Sequence, residues 1–405
     1  MFVGIVEGFY GSQWDFLDRI SMISFMGRIG LNLYMYAPKD DPYHRIMWRS
    51  PYPMHILDQF GRLVDLCQRH GVSFGFAISP GLDIEYSSQE DLRILIRKLD
   101  LIMNLGVRII GLFLDDIPPE LRGRGFKTLA EAQANLTNKI YRELSPEKLI
   151  FVPTFYWGYE EKYLRELGEL LERDIDLVWT GRYVASPEIS LEDVEKFREI
   201  TGRYPAIWDN YPVNDFFTVR GVVRLHMGFF KGRNPEILRR VSVFMANPMN
   251  QAEASKIPIY TLSRLAKGYT PQDKDLYKAA EYIVNEEVLE PFKLFIKLNL
   301  SSILDLDADL EPGPEHARAI LDAVDSLRKK LNNKKLLEEI RPVLELLDLI
   351  ARRLGENSII ERISGRIQSA GLYYPPISDE SMKRVFGVIA RRKPKWVKKI
   401  DLEGF

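Results

Sequence analysis

Two adjacent aspartates, Asp115 and Asp116, stand directly after the apolar run RIIGLFL at residues 108–114. Consecutive side chains of an extended chain leave on opposite sides, and neighbouring Cα atoms lie only ~3.8 Å apart. The two carboxylates can therefore act on two parts of one substrate. A lone pair of acids at a strand end is more often a solvated loop or a helix cap, so the interpretation depends on the residues around the pair.

Paired carboxylates serve glycoside hydrolysis, in which one acid protonates the leaving oxygen and a second group attacks or supports the anomeric carbon. Two adjacent aspartates lie too close together for the ~5–5.5 Å separation that direct double displacement needs, or for the wider gap of an inverting enzyme. The substrate-assisted variant fits better. In that variant the 2-acetamido oxygen of the sugar attacks, one aspartate orients the amide, and the other acts as acid and then as base.

The elements that would position this pair are short apolar runs that recur through the first 250 residues. Helical patterns separate them, the clearest at residues 89–105, where leucines and isoleucines repeat at a spacing of three and four. The runs lie at residues 2–6, 31–37, 72–78, 108–114, 148–153, 175–180, 205–208 and 241–246. Eight strands that alternate with helices predict an α/β fold, a (β/α)8 TIM barrel, in which the chemistry lies at the carboxyl ends of the strands.

Polar and aromatic residues follow the predicted strands, where a barrel would place its site. A sugar has apolar ring faces and a rim of hydroxyls, so its site needs aromatic platforms and hydrogen-bonding groups. The candidate platforms are Tyr10, Tyr156, Trp179 and Trp208. The candidate hydroxyl-binding residues are Lys39, Asn210, Asp215 and Asn247. Each of these alone is more often a core or a solvated residue, but together, at successive strand ends, they favour a carbohydrate site.

The last third of the chain has a different pattern, because strand runs vanish and helical spacing takes over, as in residues 336–354. This pattern predicts a C-terminal α-helical bundle. A GYTP turn at residues 268–271 suggests the boundary between a catalytic barrel domain over 1–268 and a helical bundle domain over 269–405. The basic tail at residues 391–399 is more often a solvated end than a binding arm.

Composition limits the partners of the protein. The 56 Lys and Arg balance 57 Asp and Glu, so we expect no nucleic acid partner and no membrane partner. A single cysteine, Cys67, excludes an intramolecular disulfide, and the five histidines show no paired ligand spacing. No phosphate-binding glycine motif is present, so we expect no metal and no cofactor. With no leader and no apolar run of about 18 residues, we expect a cytoplasmic location.

Seven segments of the chain carry a more specific signal. They are GIVEGFYG (4–11), YAPKDDPYH (36–44), WRSPYP (48–53), FLDDI (113–117), WTG (179–181), IWDN (207–210) and ANPMNQAEASK (246–256). Together they resemble glycoside hydrolase family 84, which contains the O-GlcNAcases and bacterial β-N-acetylglucosaminidases. The segments stand in family order and cover roughly residues 3–265.

The resemblance implies a role for each matching residue. Asp115 is similar to the residue that polarises the acetamido group, and Asp116 to the general acid and base. Gly8 and Lys39 match positions near the sugar hydroxyls and carbonyl. Tyr156 matches a tyrosine that hydrogen-bonds the forming oxazoline. The walls and hydroxyl clamps of the sugar subsite match Trp208, Asn210, Asp215 and Asn247.

The resemblance also implies an activity. It is that of a retaining exo-β-N-acetylglucosaminidase, which hydrolyses terminal β-linked GlcNAc of a glycoconjugate or oligosaccharide through an oxazoline intermediate. Three alternatives stay open: an endo-acting hyaluronidase-like hydrolase, a transglycosylase, and a non-catalytic scaffold that binds GlcNAc. Turnover of an aryl β-GlcNAc separates the enzymes from the scaffold, and product length separates exo from endo action. The sequence leaves the natural conjugate and the oligomeric state open.

Overall fold

The computed structural model describes residues 1–355. Eight parallel strands close into one barrel, in which each strand pairs with its neighbours in chain order and the last pairs with the first. The strands are β1 (Phe2–Glu7), β2 (Leu33–Tyr36), β3 (Ser73–Ile78), β4 (Ile109–Phe113), β5 (Lys148–Val152), β6 (Ile175–Trp179), β7 (Ala206–Asp209) and β8 (Val243–Ala246). Each strand overlaps one of the eight predicted runs, and the (β/α)8 TIM barrel is confirmed.

Helices follow the strands along the chain. They are α1 (Phe16–Ile29), α2 (Met54–Arg69), α3 (Gln89–Met103), α4 (Leu129–Leu144), α5 (Glu161–Leu170), α6 (Leu191–Thr201), α7 (Asp215–Thr218), α8 (Ala252–Ala266), α9 (Asp273–Ala280), α10 (Leu289–Lys297), α11 (Ala317–Lys330) and α12 (Lys334–Gly355). Short 3-10 turns occur at Pro235–Arg239, Glu286–Val288 and Pro314–His316. Two of these helices have clear sequence signals at both ends. Asp15 and Ser190 form capping boxes that begin α1 and α6, and left-handed Gly30 and Gly202 end the same two helices.

The chain divides into two compact units. The first contains residues 1–184, 189–210 and 233–247, and therefore all eight strands with α1–α6. The second contains residues 185–188, 211–232 and the described residues from 248 onward, with α7–α12. The predicted domains, 1–268 and 269–405, stay a prediction.

The second unit has its own apolar core, built by side chains such as Leu276, Phe292, Val324 and Ile340. The helices predicted for the end of the chain are confirmed as far as residue 355. The part of the predicted bundle beyond that residue, and the basic tail at 391–399, lie outside the described residues. None of the helices within 1–355 combines the length and the apolar character that a membrane span needs.

A residue of helix α12 caps the first turn of helix α8. The carboxylate of Glu339, on α12, accepts hydrogen bonds from the backbone N–H groups of Glu253 (3.0 Å) and Ala254 (2.9 Å). Asn333 donates to the Glu253 side chain at 2.7 Å. The first N–H groups of a helix have no partner within the helix, so Glu339 acts as the cap that α8 does not receive from Gln251, the residue before it.

Candidate active site

The predicted site residues follow the alternation of the barrel strands. Successive strand side chains point to opposite faces, so every second residue faces the barrel interior. The interior cluster includes Val6, Met35, Phe113, Trp208 and Met245. Residues of the same parity at or just beyond the strand ends are Gly8, Lys39, Asp115, Asn210 and Asn247. The strands therefore present these five residues to one end of the barrel, as expected from the sequence.

Asp115 is a buried carboxylate with one occupied and one open oxygen. The residue is 4% exposed, and its Oδ2 accepts a hydrogen bond from the ammonium of Lys39, which is 5% exposed. Within residues 1–355, no group of the protein bonds its Oδ1, although this atom is buried. Buried polar atoms in proteins nearly always have a partner. The open Oδ1 therefore suits an N–H or O–H donor that comes from a ligand.

Lys39 is fixed by aromatic faces as well as by Asp115. Its ammonium lies 5.9 Å from the ring centre of Tyr10 and 5.8 Å from that of Trp208. A cation at this distance from an aromatic face is attracted by the ring quadrupole. The lysine thus holds Asp115 from one side and leaves Oδ1 for another donor.

Asp116 lies in a different environment from its neighbour. It is exposed, and its two carboxylate oxygens accept hydrogen bonds from two tyrosines: Oδ1 from the Tyr156 hydroxyl at 2.7 Å and Oδ2 from the Tyr10 hydroxyl at 3.0 Å. Burial, and then the nearby negative charge of Asp116, raise the pKa of both tyrosines well above the usual range. Both hydroxyls therefore stay protonated and able to donate.

Trp208 forms one wall of the group. Its indole N–H donates to Asn210 Oδ1 at 2.8 Å, and the side-chain amide of Asn247 donates to the same oxygen at 2.9 Å. Asn210 in turn donates to the carbonyl of Val184 at 2.7 Å. Asn247 Oδ1 accepts from the backbone N–H of Gly8 at 3.3 Å. These contacts fix the amides of Asn210 and Asn247 beside the tryptophan.

A buried ion pair supports this wall from the next position along the chain. Both carboxylate oxygens of Asp209 accept from the guanidinium of Arg233, at 2.7 and 2.6 Å. The two side chains are 1% and 0% exposed. The Asp209 carbonyl accepts from the backbone N–H of Asn247 at 2.8 Å. The ends of β7 and β8 are thereby held together beneath the site.

Gly8 must be glycine because of Trp208. A Cβ at Gly8 would lie 2.4 Å from Cζ2 and 2.6 Å from Cη2 of the indole. We expect Gly8→Ala to displace Trp208 and lower the free energy of unfolding by ~1–3 kcal/mol, the usual cost of overpacking. The measurement is thermal or urea unfolding.

A matched control exists in helix α2, where a Cβ at Gly61 would meet nothing within 4 Å. Gly61→Ala should leave stability unchanged or raise it by up to ~1 kcal/mol, because alanine has the higher helix propensity. Equal stability of the Gly8→Ala variant and the wild type would show that Trp208 can move without a loss of unfolding free energy.

The two carboxylates of the site lie in different environments. The buried Asp115 offers one open acceptor oxygen beside a fixed ammonium, which suits a polar N–H group held in a dry pocket. The exposed Asp116 is placed by two hydroxyl donors and can be reached from outside, which suits proton exchange with a departing or an entering group. The Trp208 face and the two amides suit a polyhydroxylated ring.

Trp179, by contrast, is not part of this group. Trp179 is fully buried, packs between Tyr159 (5.4 Å) and Phe197 (5.3 Å), and donates to the Gly158 carbonyl at 2.8 Å. Its neighbour Val178 belongs to the barrel interior, so the parity of β6 turns Trp179 toward the helices, where it is a core residue and no sugar platform. Asp215 is the first residue of α7, in the second unit, and its place in the site stays a prediction.

The sequence interpretation missed Arg45, which is 7% exposed and contacts both Tyr10 and Asp116. The available signal was its place in the chain: it directly follows YAPKDDPYH, one of the segments that carry the family resemblance. Its residue type alone gave no reason to prefer it over the other arginines.

A protein metal site needs several ligand side chains close together. Across the part of the chain that the structure describes, no three His, Cys, Asp or Glu side chains are grouped as metal ligands. The expectation that the protein needs no metal and no cofactor stays a prediction.

Comparison with known protein families gives one match that covers most of the chain. The family model described as beta-N-acetylglucosaminidase matches residues 3–297. This range contains every predicted site residue. It includes helices α1–α10 and the eight barrel strands, except for Phe2, the first residue of β1.

Individual relatives agree with the family match. The Protein O-GlcNAcase of Rattus norvegicus and that of Mus musculus are each 38% identical to this chain over 271 residues, which is 64% of this chain. The chain spans only 29% of the length of these two relatives. Among solved structures, a mutant of the O-GlcNAc hydrolase of Thermobaculum terrenum superposes with a TM-score of 0.78 at 31% identity. That match covers 98% of this chain and 94% of the other.

Proposed function

Because the chain belongs to glycoside hydrolase family 84, the β-N-acetylglucosaminidase family, we propose that it is a retaining exo-β-N-acetylglucosaminidase. It removes terminal β-linked GlcNAc by substrate-assisted catalysis through an oxazoline intermediate. The observation that carries this proposal is the pair of aspartates in contrasting environments. One is buried with an open acceptor oxygen, and the next is exposed between two tyrosine hydroxyls.

Asp115 orients the nucleophile in this mechanism. The N–H of the 2-acetamido group donates to Oδ1 of Asp115, and this contact builds negative charge on the acetamido oxygen as it attacks the anomeric carbon. Lys39 occupies the other oxygen of the carboxylate, so Oδ1 is the atom that remains for the substrate. A preorganised charge in a dry site stabilises developing charge more strongly than water does.

Asp116 transfers the proton. It donates to the glycosidic oxygen as the leaving group departs, and it then takes a proton from the water that opens the oxazoline. Its exposure fits this exchange, because both the leaving group and the water must reach it. The Tyr156 hydroxyl, which donates to Asp116, is assigned as the donor to the oxazoline as this forms, as the family resemblance implies.

Binding of the sugar rests on the wall at β7 and β8. Trp208 offers a ring face, and Asn210 and Asn247 offer amides to the hydroxyls. Asp215 is retained as a further hydroxyl ligand on the family resemblance alone. The residues Lys39, Trp208 and Asn247 are all nearly buried, which favours a closed subsite for one terminal sugar over a groove for a passing chain. The endo-acting hyaluronidase-like hydrolase, the transglycosylase and the GlcNAc-binding scaffold are the alternatives.

The substrate class follows from the same chemistry. We infer a GlcNAc-containing glycoconjugate or oligosaccharide, and the names of the rodent relatives make GlcNAc attached to protein the first candidate to test. The cytoplasmic location expected from the sequence stays a prediction.

The test of this function is its dependence on the 2-acetamido group. We expect an aryl β-GlcNAc to be hydrolysed at least ~10³-fold faster than the matching β-glucoside, because the glucoside lacks the internal nucleophile, and intramolecular attack has effective molarities of ~10⁵ M or more. A thiazoline that mimics the bicyclic intermediate should bind far more tightly than GlcNAc itself.

The measurement is kcat/KM for the two substrates with one aryl leaving group. Equal rates would rule out substrate assistance. Binding of GlcNAc without turnover of any β-GlcNAc would favour the scaffold, and release of oligosaccharides from inside a polymer would favour endo action.

A further inference from the structure

Asp116 has an unusual backbone for a residue with a side chain. Among residues 1–355, two non-glycine residues have a positive φ: Asp116 at 51° and Ser145 at 46°. Ser145 is the C-cap of helix α4, a common place for this conformation. Asp116 ends no helix and follows strand β4 instead. A left-handed residue with a side chain is strained, and it persists only where its surroundings hold it.

Arg45 makes the contact that holds this backbone. Its Nη2 donates to the carbonyl oxygen of Asp116 at 2.9 Å, and its Nη1 donates to the hydroxyl oxygen of Tyr10, also at 2.9 Å. The guanidinium lies 5.7 Å from the centre of the Tyr10 ring. A planar fork of N–H groups can serve two acceptors in fixed directions. One side chain therefore fixes both the Asp116 peptide and the Tyr10 hydroxyl.

The contact between Arg45 and Tyr10 also sets the direction of a proton. A guanidinium is a donor only, so the Tyr10 oxygen accepts from Arg45 and its own proton points to Asp116 Oδ2, at 3.0 Å. Burial and the charge of Asp116 raise the pKa of Tyr10, which keeps that proton in place. Oδ2 is thus committed as an acceptor. Oδ1 accepts from the Tyr156 hydroxyl at 2.7 Å, but Arg45 does not fix that hydroxyl, which can turn away, so we assign proton exchange to Oδ1.

The loop that carries Arg45 is itself fixed in place. The ammonium of Lys98, on helix α3, donates to the backbone carbonyls of Tyr43 (2.7 Å), Trp48 (2.9 Å) and Ser50 (2.8 Å). These three carbonyls lie on both sides of Arg45 in the chain. The arginine therefore reaches Asp116 from an ordered support.

We propose that Arg45 is a positioning residue for Asp116, an inference that rests on the function proposed above. It holds the left-handed peptide at Asp116 and fixes Tyr10 as a donor to Oδ2, so that Oδ1 carries the transferable proton. In the first step the proton passes from Oδ1 to the glycosidic oxygen, which leaves with the bonding electron pair as the acetamido oxygen joins the anomeric carbon. In the second step Oδ1 recovers a proton from the water that opens the oxazoline.

The experiment compares kcat/KM in wild type, Arg45→Met, Arg45→Lys and Arg49→Met across alkyl and aryl β-GlcNAc substrates. Arg49 is the matched control, because it lies in the same loop and is ion-paired with Asp83 and Asp91. We expect Arg45→Met to lose ~10–10²-fold more activity on the alkyl glycoside than on the most acidic aryl glycoside, since acid catalysis contributes ~10²–10⁴-fold where it is needed. This ratio does not depend on the folded fraction of the sample.

The Arg45→Lys variant gives a second result. Lysine keeps the positive charge but loses the planar fork that serves two acceptors in fixed directions. Its leaving-group dependence should therefore steepen as that of Arg45→Met does, whereas a role of the charge alone would leave the wild-type dependence.

Two results would overturn the proposal. One is an equal loss for all leaving groups in Arg45→Met, and the other is the same steepening in Arg49→Met. A wild type that turns over no β-GlcNAc would overturn the proposed function and this inference with it. A steep leaving-group dependence in Asp116→Ala, together with wild-type dependence in Arg45→Met, would remove this inference and leave the proposed function standing.

Discussion

Replacement of Asp116 by alanine is expected to lower kcat/KM for an alkyl β-GlcNAc by ~10²–10⁴-fold, the usual contribution of a general acid. An aryl β-GlcNAc with an acidic phenol should keep most of its first-step rate, because its phenolate leaves without a proton. Asp116 is exposed, and its carboxylate accepts hydrogen bonds from two neutral tyrosine hydroxyls, so the substitution breaks no salt bridge that the structure shows within residues 1–355.

The measurement is a series of aryl β-GlcNAc substrates of graded phenol acidity, with an alkyl glycoside at the poor end. Glu120→Ala is the control, because Glu120 is an exposed carboxylate in the same loop whose partner is Arg122. A steep dependence of log kcat/KM on phenol pKa should appear in the Asp116 variant and should be absent from the control. A flat profile in the Asp116 variant would mean that another group supplies the proton.

Replacement of Asp115 by alanine is expected to act differently, with a loss of ~10²–10³-fold for every leaving group, good or poor. Without a carboxylate to accept the acetamido N–H, formation of the oxazoline ring slows whatever departs. If the Asp115 variant shows the steep dependence and the Asp116 variant loses activity uniformly, the two roles are swapped.

Stability must be separated from chemistry at Asp115, because the substitution leaves the Lys39 ammonium buried without its carboxylate. Breaking a buried ion pair typically costs about 3–5 kcal/mol. The double variant Asp115→Ala with Lys39→Met removes that unpaired charge and should recover much of the stability while activity stays lost. Recovered activity in the double variant would mean that Asp115 serves only to neutralise Lys39.

The barrel was predictable because each strand is an apolar run of its own. Strands of a parallel barrel are covered on both faces, so they are apolar throughout and easily counted. The same property hides which residues face inward. In β6 the run IDLVW gives no alternation, and Trp179 was assigned to the sugar although the interior position belongs to Val178. The register of the closed sheet supplies the parity that the sequence pattern does not.

The site was predictable where chemistry and strand ends coincide, as for Asp115 and Lys39. It was not predictable for Arg45, whose bond to the Asp116 carbonyl joins residues 71 positions apart through a loop without periodicity. Membership of a family motif does not by itself place a residue in the site, as Glu7 shows. It stands beside Gly8 in a motif of the family, yet it is fully buried and accepts from Arg19 and Tyr34 on the other face of β1.

The cap on helix α8 bears on how the chain can be divided by an experimenter. Glu339 and Asn333 both act on the first turn of α8, and the apolar core around them draws on helices that begin well after residue 268. A protein cut at the GYTP turn would keep α8 and lose the carboxylate that satisfies its first N–H groups. That first turn lies five residues after Asn247. Expression boundaries, domain exchanges and fusion points are therefore better chosen beyond α12 than between the two predicted domains.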